Sequence, residues 1–593
     1  MKKTLALILA ALFCLALFAG CGGQQTTPTQ QTETQSAETE TQQTETQPAE
    51  TETTEPAETT EPEPAETEEP SPYNLAAGKF QADAQGLALE KYEYELPLST
   101  TDEVFDMWTV SWTPDYLPEG GYGAMEFPTE LQKRTGVNVE YVTVTSDKRQ
   151  ENFSVLIASD DLCDIMCSAE TFYNGNFRNA VEEEAYFANL YDYREYIPNY
   201  IYEARRDPED LDTINRVFYD DGLIMSFYEL KDVLELNSGA FARGDWLEDM
   251  GKTNADILTF DDLHEMLTFF KNEEGAETPM TIFKTIELAG AYEFVGYDTY
   301  ASCSGIRTQY VKDGQVQLSN TTERDRKLMT MLNQWYSEGL IDPNWAGYGS
   351  LQDFDQNLDN GRMGYVTGTR PTTMVSHNAF IPEGHTGWVA ISKPAETRGQ
   401  TLHMGFQIAR IYWGSAAVAA SCENIPLICS WLDYRYSEAG KFFFGYGVEG
   451  VSWEYDDNGN ITITDMIIQH PAYWSMIMPS YALNSLCEPG LYVNYTWLVP
   501  GNEVAFQYLL DWEFNAHDNA YVYPSGITFN NDQTDELAKY GSDLETYLSE
   551  NYLAFIDGSK PLSEWDAYEA QLHEIGLDEV LAVYQEAYDA YIG

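Results

Sequence analysis

Between Phe105 and Cys167 the apolar residues change their period repeatedly, and this stretch constrains the fold more than any other. FDMWTVSW alternates as a strand does, AMEFPTELQKRTG repeats at helical spacing and stops at Gly136, and VNVEYVTV alternates again. RQENFSVLIAS returns to helical spacing with apolar Phe153, Leu156 and Ile157, and LCDIMC reads as a short buried strand. Strand, helix, strand, helix, strand is the order of an α/β fold with a mostly parallel sheet. Ligand loops in such sheets lie beyond the carboxyl ends of the strands. Here those loops are Trp112 to Pro118, the segment after Val144, and Ser168 to Tyr173.

ASDDLCDIMCSAE, at the end of that stretch, sets Asp160, Asp161, Asp164 and Glu170 around Cys163 and Cys167. Its spacing predicts a turn at Asp160 and Asp161, then a strand from Leu162 to Cys167. Cys163, Ile165 and Cys167 would share one face, with Asp164 serving backbone amides and not a metal ion.

Further along, GAFARGDWLEDMG predicts a strand and a helix beginning near Asp245, whose carboxylate would cap amides above a packed Trp246. TFDDLHEMLTFFKNEEG predicts a helix capped by Thr259, and RDRKLMTMLNQWYSEGLIDP one closed by Gly339 and Pro343. GRMGYVTGT reads as a strand and IPLICSWLDYRYSEAG as one buried helix. The last residues read as two helices broken at Gly576. No fixed period recurs, which excludes solenoids and propellers.

The chain opens with two lysines, an apolar run to Ala19, and Gly20-Cys21. That run is shorter than the roughly 20 residues of a membrane-spanning helix and has the build of a secretory signal. Phe18-Ala19-Gly20-Cys21 resembles a bacterial lipobox, which makes residues 1–20 the signal and Cys21 the lipid-bearing residue. Residues 21–72 are Gln, Thr, Glu, Pro and Ala almost throughout, too polar to offset chain entropy, and are expected to form a disordered stalk. Residues 73–593 are left to fold.

The 97 acidic residues face only 32 Lys and Arg, a net charge of −65. Such a surface repels nucleic acid and anionic headgroups, so neither is an expected partner. The cysteines are too sparse for a disulfide scaffold, and mostly free buried thiols are expected, with one or two disulfides open. Seven histidines form no His-Glu-x-x-His, and no Gly-x-Ser-x-Gly or phosphate loop occurs. YDDNGN resembles a calcium loop only in composition and reads as a hairpin turn. No metal or cofactor is expected.

Several ordered stretches are similar to the extracellular solute-binding proteins of carbohydrate ABC transporters. FPTELQKRTGVNVEYV with LIASDDLCDIM resembles their opening, and ARGDWLEDMG with TFDDLHEML their next helices. WYSEGLIDP, YGVEGVSWEYDDNGN and the C-terminal FIDGSKPLSEWDAYEAQLHEIGLDEVLAVYQEAYDAY resemble the large oligosaccharide and lipoprotein subtype. The match runs from about residue 103 to the end. One departure is the helix-to-strand turn, where Asp160 and Cys163 stand at the family's glycine and proline positions.

The resemblance implies a two-lobed periplasmic-binding-protein-like α/β fold with a hinge and an interlobe ligand cleft. Its chain crossings would lie near 234–241 and 394–406. It implies a non-enzymatic, monomeric, cell-surface lipoprotein on the cytoplasmic membrane that hands an oligosaccharide to the transmembrane permease of an importer. Sugars want flat aromatic faces ringed by polar acceptors, and the chain has 13 Trp and 41 Tyr. The candidates for ligand contact are Trp112, Asp115, Glu170, Thr171, Tyr173, Thr369, Arg370, Trp345 and Trp453. A peptide ligand, a glycoside hydrolase with paired carboxylates, and a surface adhesin are the competing readings.

Overall fold

The computed structural model describes residues 71–592 apart from 220–221, 232–237, 283–292, 301, 303–307, 349–354, 370, 406–409, 473, 483–486 and 500–501. β1 (Val104–Ser111), β2 (Asn138–Thr145) and β3 (Ile165–Cys167) run parallel, with β1 between the other two. The helices Glu126–Thr135 and Arg149–Ser159 connect them, the first ending at Gly136 in the left-handed region. The second ends at Asp160, also left-handed (φ 53°, ψ 37°), so the aspartate does the work of the family's glycine there.

Cys163 departs from the expected strand. Pairing starts only at Ile165, because Asp106 and Asp164 exchange hydrogen bonds before it. The Asp106 amide donates to the Asp164 carboxylate at 3.1 Å, and the Asp164 amide donates to that of Asp106 at 2.7 Å. The chain bends there, and Cys163 packs with Trp108, Phe153 and Met166, whereas Ile165 and Cys167 lie in the opposite layer. Among the described residues no group of three or more His, Cys, Asp or Glu is placed to hold a metal ion.

The chain then adds β4 (Phe227–Lys231) to the same sheet and enters a second one with β5 (Gly239–Arg243). A hairpin of β6 (Gln309–Lys312) and β7 (Gln315–Leu318) precedes β8 (Tyr365–Thr369) and β9 (Trp388–Ile391), which flank β5 on either side, antiparallel. β10 (Ile411–Val418) returns to the first sheet. A second hairpin, β11 (Trp453–Tyr455) and β12 (Ile461–Ile463), holds the YDDNGN turn. β13 (Gly490–Tyr492) closes the first sheet in the order β13-β4-β10-β3-β1-β2. That sheet is mixed, since β10 lies antiparallel between β3 and β4.

Side-chain alternation sorts its two faces. Phe105, Met107, Ile165 and Val418 pack toward Tyr200, Ile428 and Leu432, while Trp108, Val110 and Met166 pack toward Phe153 and Phe177. In the second lobe, Ala240, Ala242 and Ile391 face the helix Phe260–Asn272 and the C-terminal helices. Phe241, Val366 and Ala390 face Tyr508 and Trp512. The chain passes between sheets after Lys231, after Ile391 and a third time after Tyr492, entering the helix Glu503–Trp512 of the second lobe.

Thr259 caps its helix in a reciprocal box with Asp262, and Gly576 separates the last two helices. Two local expectations fail for tertiary reasons. Asp245 does not cap amides. Arg243 takes its carboxylate with two donors, at 2.8 and 2.5 Å, and stacks over Trp246 at 4.5 Å. The expected single helix after Ile425 breaks into Ile425–Asp433, a tight turn, and Glu438–Tyr446 recapped by Ser437. The five described cysteines, Cys163, Cys167, Cys422, Cys429 and Cys487, are free thiols, and burial pushes Cys163 and Cys422 up to about 12. No helix among the described residues is long and apolar enough to cross a membrane.

Candidate functional site

The parallel strands β1, β2 and β3 end at one edge of the first sheet. Because β10 runs against β3, its amino end reaches the same edge, where the Ser168 amide donates to the Ser415 carbonyl at 2.8 Å. Beneath the edge a polar pocket of about 40 Å³ is lined by Thr109, Ser111, Thr143, Ser480 and Glu488, with Trp112 beside it.

Trp112 is half-buried. The Arg149 guanidinium lies over its ring at 5.3 Å, and its Nε1 is buried beside the Cys487 thiol. Asp115 stands exposed in the tight turn Pro114–Tyr116. Glu170 is already engaged: Arg216 pairs with one carboxylate oxygen, and the Tyr228 hydroxyl donates to the other at 2.5 Å. Thr171 is exposed, and the Tyr173 hydroxyl donates to Glu184 at 2.6 Å. Burial and that neighbouring carboxylate hold the Tyr173 phenol well above its usual range.

The remaining expected contacts scatter. The Thr369 backbone pairs with Gly239 in the second lobe, and Arg370 lies outside the described residues. Trp345 and Trp453 are corrected. Trp345 is buried in the second lobe's core, edge-on to Tyr552. Trp453 is buried under its hairpin, where Nε1 donates to the Gly447 carbonyl at 3.3 Å. Neither has a ring face left for a ligand.

Sequence reasoning missed Trp413. It is 74% exposed, while ten of the other described tryptophans are buried. The β10–β4 register shifts between Ile411 and Ser415, so Trp413 rides on a bulge, a device that re-aims a side chain. The bulge is pinned. The Gly414 amide donates to the Glu229 carboxylate at 3.1 Å, and a Cβ on Gly414 would sit 1.8 Å from the Glu488 carbonyl oxygen. Next to it, the Lys231 ammonium sits over the Tyr412 ring at 3.8 Å, and Tyr492 packs against Tyr412 edge-on. The legible signal was a glycine after two aromatics inside a strand pattern.

Gly414→Ala is therefore expected to cost about 1–3 kcal/mol, read as a lower urea midpoint. An unchanged midpoint would mean that the Glu488 segment is not held against the bulge.

No protein-family model matches the chain. A curated relative, the fructooligosaccharide ABC transporter substrate-binding protein FusA of Streptococcus pneumoniae, is 22% identical over 493 residues, 78% of this chain and 86% of FusA. An extracellular solute-binding protein from Bifidobacterium longum subsp. infantis superposes with a TM-score of 0.65 at 16% identity, over 86% of this chain and 100% of that one. The chain has the solute-binding-protein fold. A second Bifidobacterium longum infantis structure, of an HMO-binding solute-binding protein associated with an ABC transporter, gives a TM-score of 0.63 at 18% identity. It spans 82% of this chain and 99% of its own. In a solute-binding fold, the strand-end edge with Trp413 and Trp112 is where the chain passes toward its second lobe. A flat, solvated indole at such an edge is suited to a ligand with an apolar face and hydroxyl edges.

Proposed function

We propose that this protein is the extracellular substrate-binding subunit of an ABC importer, and that it captures an oligosaccharide at the strand-end edge between its lobes. The exposed Trp413 indole carries this reading. Burying an indole removes a large apolar area from water, so leaving it solvated on a pinned bulge costs stability unless a ligand covers it. Trp112, with one face toward Arg149, contributes a ring edge, and Asp115 and Thr171 contribute acceptors and hydroxyls. Thr369 and Arg370 are proposed as contacts from the second lobe. A ligand touching both lobes favours the closed arrangement, which a transmembrane permease then reads. Resemblance to FusA and to the Bifidobacterium proteins supports the ligand class. A lipid on Cys21 would tether the subunit, as a monomer, outside the cytoplasmic membrane. No bond in the ligand is made or broken.

A thermal-shift screen of the full-length protein against neutral oligosaccharides and peptides, with chromatography of each hit, tests the reading. An oligosaccharide at about a hundredfold excess over Kd is expected to raise the melting temperature by a few degrees and to be recovered intact. Stabilisation by peptides alone would overturn the ligand class, and shortened saccharide products would overturn the binding-only role.

A further inference from the structure

Away from the strand-end edge, a cavity of about 650 Å³ lies between the first lobe and the C-terminal segments. It shares no lining residue with the polar pocket under β1. Its volume falls within the roughly 300–1,000 Å³ of small-molecule sites. One wall is the helix Leu211–Val217 and the residues after it, and the opposite wall is Gly526–Thr528 with the end of the helix Leu577–Ile592.

The walls are tied together without filling the space. Asp212 accepts hydrogen bonds from the Ser525 hydroxyl at 3.1 Å, the Gly526 amide at 3.3 Å and the Tyr591 hydroxyl at 3.0 Å. Tyr219 donates to the Phe529 carbonyl at 3.1 Å. Leu87, Ile214 and Ile527 give the walls aliphatic surface, and the small residues Gly222, Gly526, Ala587 and Ala590 leave the space between them open.

The lining chemistry names a ligand class. The rings of Tyr191, Phe218, Tyr219 and Tyr591 supply apolar surface, and Gln85, Asn215 and Thr528 supply amide and hydroxyl groups. Among the described residues of the lining Arg205 carries the one charged side chain, and Asp83 already takes its guanidinium at 2.9 Å. A charged ligand would find no uncompensated partner among these groups. A neutral polyhydroxylated molecule finds ring faces and hydrogen-bonding groups together.

From this we infer a second binding site, for a neutral saccharide of one or two rings, in the cavity between the helix Leu211–Val217 and the C-terminal helix. The inference rests on the proposed saccharide-binding role but names a different site. The same short helix also holds Glu170 through Arg216, so an occupant would touch the element that braces the strand-end edge.

The test titrates sucrose, a neutral two-ring probe, into the full-length protein and into two variants by calorimetry. Trp413→Ala removes the proposed primary platform. Ala590→Trp places an indole in the cavity from an exposed helix position. Saturable sucrose binding with a millimolar Kd is expected in the wild type and in Trp413→Ala. At least a tenfold loss is expected in Ala590→Trp at an unchanged melting temperature, and Asn215→Ala is expected to weaken binding about threefold. Absence of saturable binding to Trp413→Ala up to about 50 mM would overturn the second site. So would binding that survives Ala590→Trp combined with Trp413→Ala. Either result leaves the primary reading standing if an oligosaccharide still binds the wild type and not Trp413→Ala.

Discussion

Trp413→Ala is expected to weaken oligosaccharide binding at least tenfold, a loss of about 1.4 kcal/mol, while the melting temperature stays within a degree or two of wild type. The two readouts separate because of where the ring stands. At 74% exposure it forms little of the core, and substitutions at such positions usually shift stability by no more than about 0.5 kcal/mol. A ligand stacked on it would bury most of the ring and lose that area in the variant. Trp413→Phe should recover part of the affinity, since a smaller flat face remains. Fluorescence gives an independent check. Ten of the described tryptophans are buried, so a blue shift on ligand addition reports chiefly on Trp413, with Trp112 the other contributor, and should shrink in the phenylalanine variant. Equal affinity in wild type and Trp413→Ala would remove the platform from the proposal.

Local chemistry explains which parts of this architecture could be read in advance. The order β1, helix, β2, helix, β3 was legible because the apolar period changes at each boundary, and the Thr259 cap because its partner Asp262 is three residues away. The left-handed Asp160 belongs with these, since a short polar side chain tolerates that geometry. What escaped depends on partners far along the chain. Val418 pairs with Ile165 across some 250 residues, and nothing local in IYWGSAAV says that this strand runs against its neighbour. Asp245 has the right place for a cap, yet Arg243, two residues away, offers a fork that matches a carboxylate better than two amides do. Trp345 and Trp453 follow turns of the kind that carry ligand contacts, but lie under a helix and a hairpin that the local pattern does not reveal. Trp413 went unseen because its exposure requires the Glu488 backbone to press on Gly414.

Glu488→Ala is expected to cost about 3–5 kcal/mol of stability. Arg435 is 1% exposed, sandwiched between Trp431 at 4.5 Å and Phe444 at 4.7 Å, and its Nη1 donates to the Glu488 carboxylate at 2.9 Å. Removing the carboxylate strands a buried guanidinium that cannot lose its proton. Glu488→Gln keeps one acceptor and should lose distinctly less. The double variant Arg435→Met with Glu488→Ala, which removes both charges, should recover much of the loss, because the cost lies in the unpaired charge. The same pair also bears on binding. Arg435 reaches the Pro489 carbonyl as well, so it anchors the backbone segment that pins the bulge beneath Trp413. Glu488→Ala should therefore lower oligosaccharide affinity as well as the urea midpoint, whereas Trp413→Ala lowers affinity alone. A Glu488→Ala protein with a wild-type midpoint would mean that the guanidinium finds another partner or water. One with a lowered midpoint but wild-type affinity would mean that the bulge holds its shape without the ion pair.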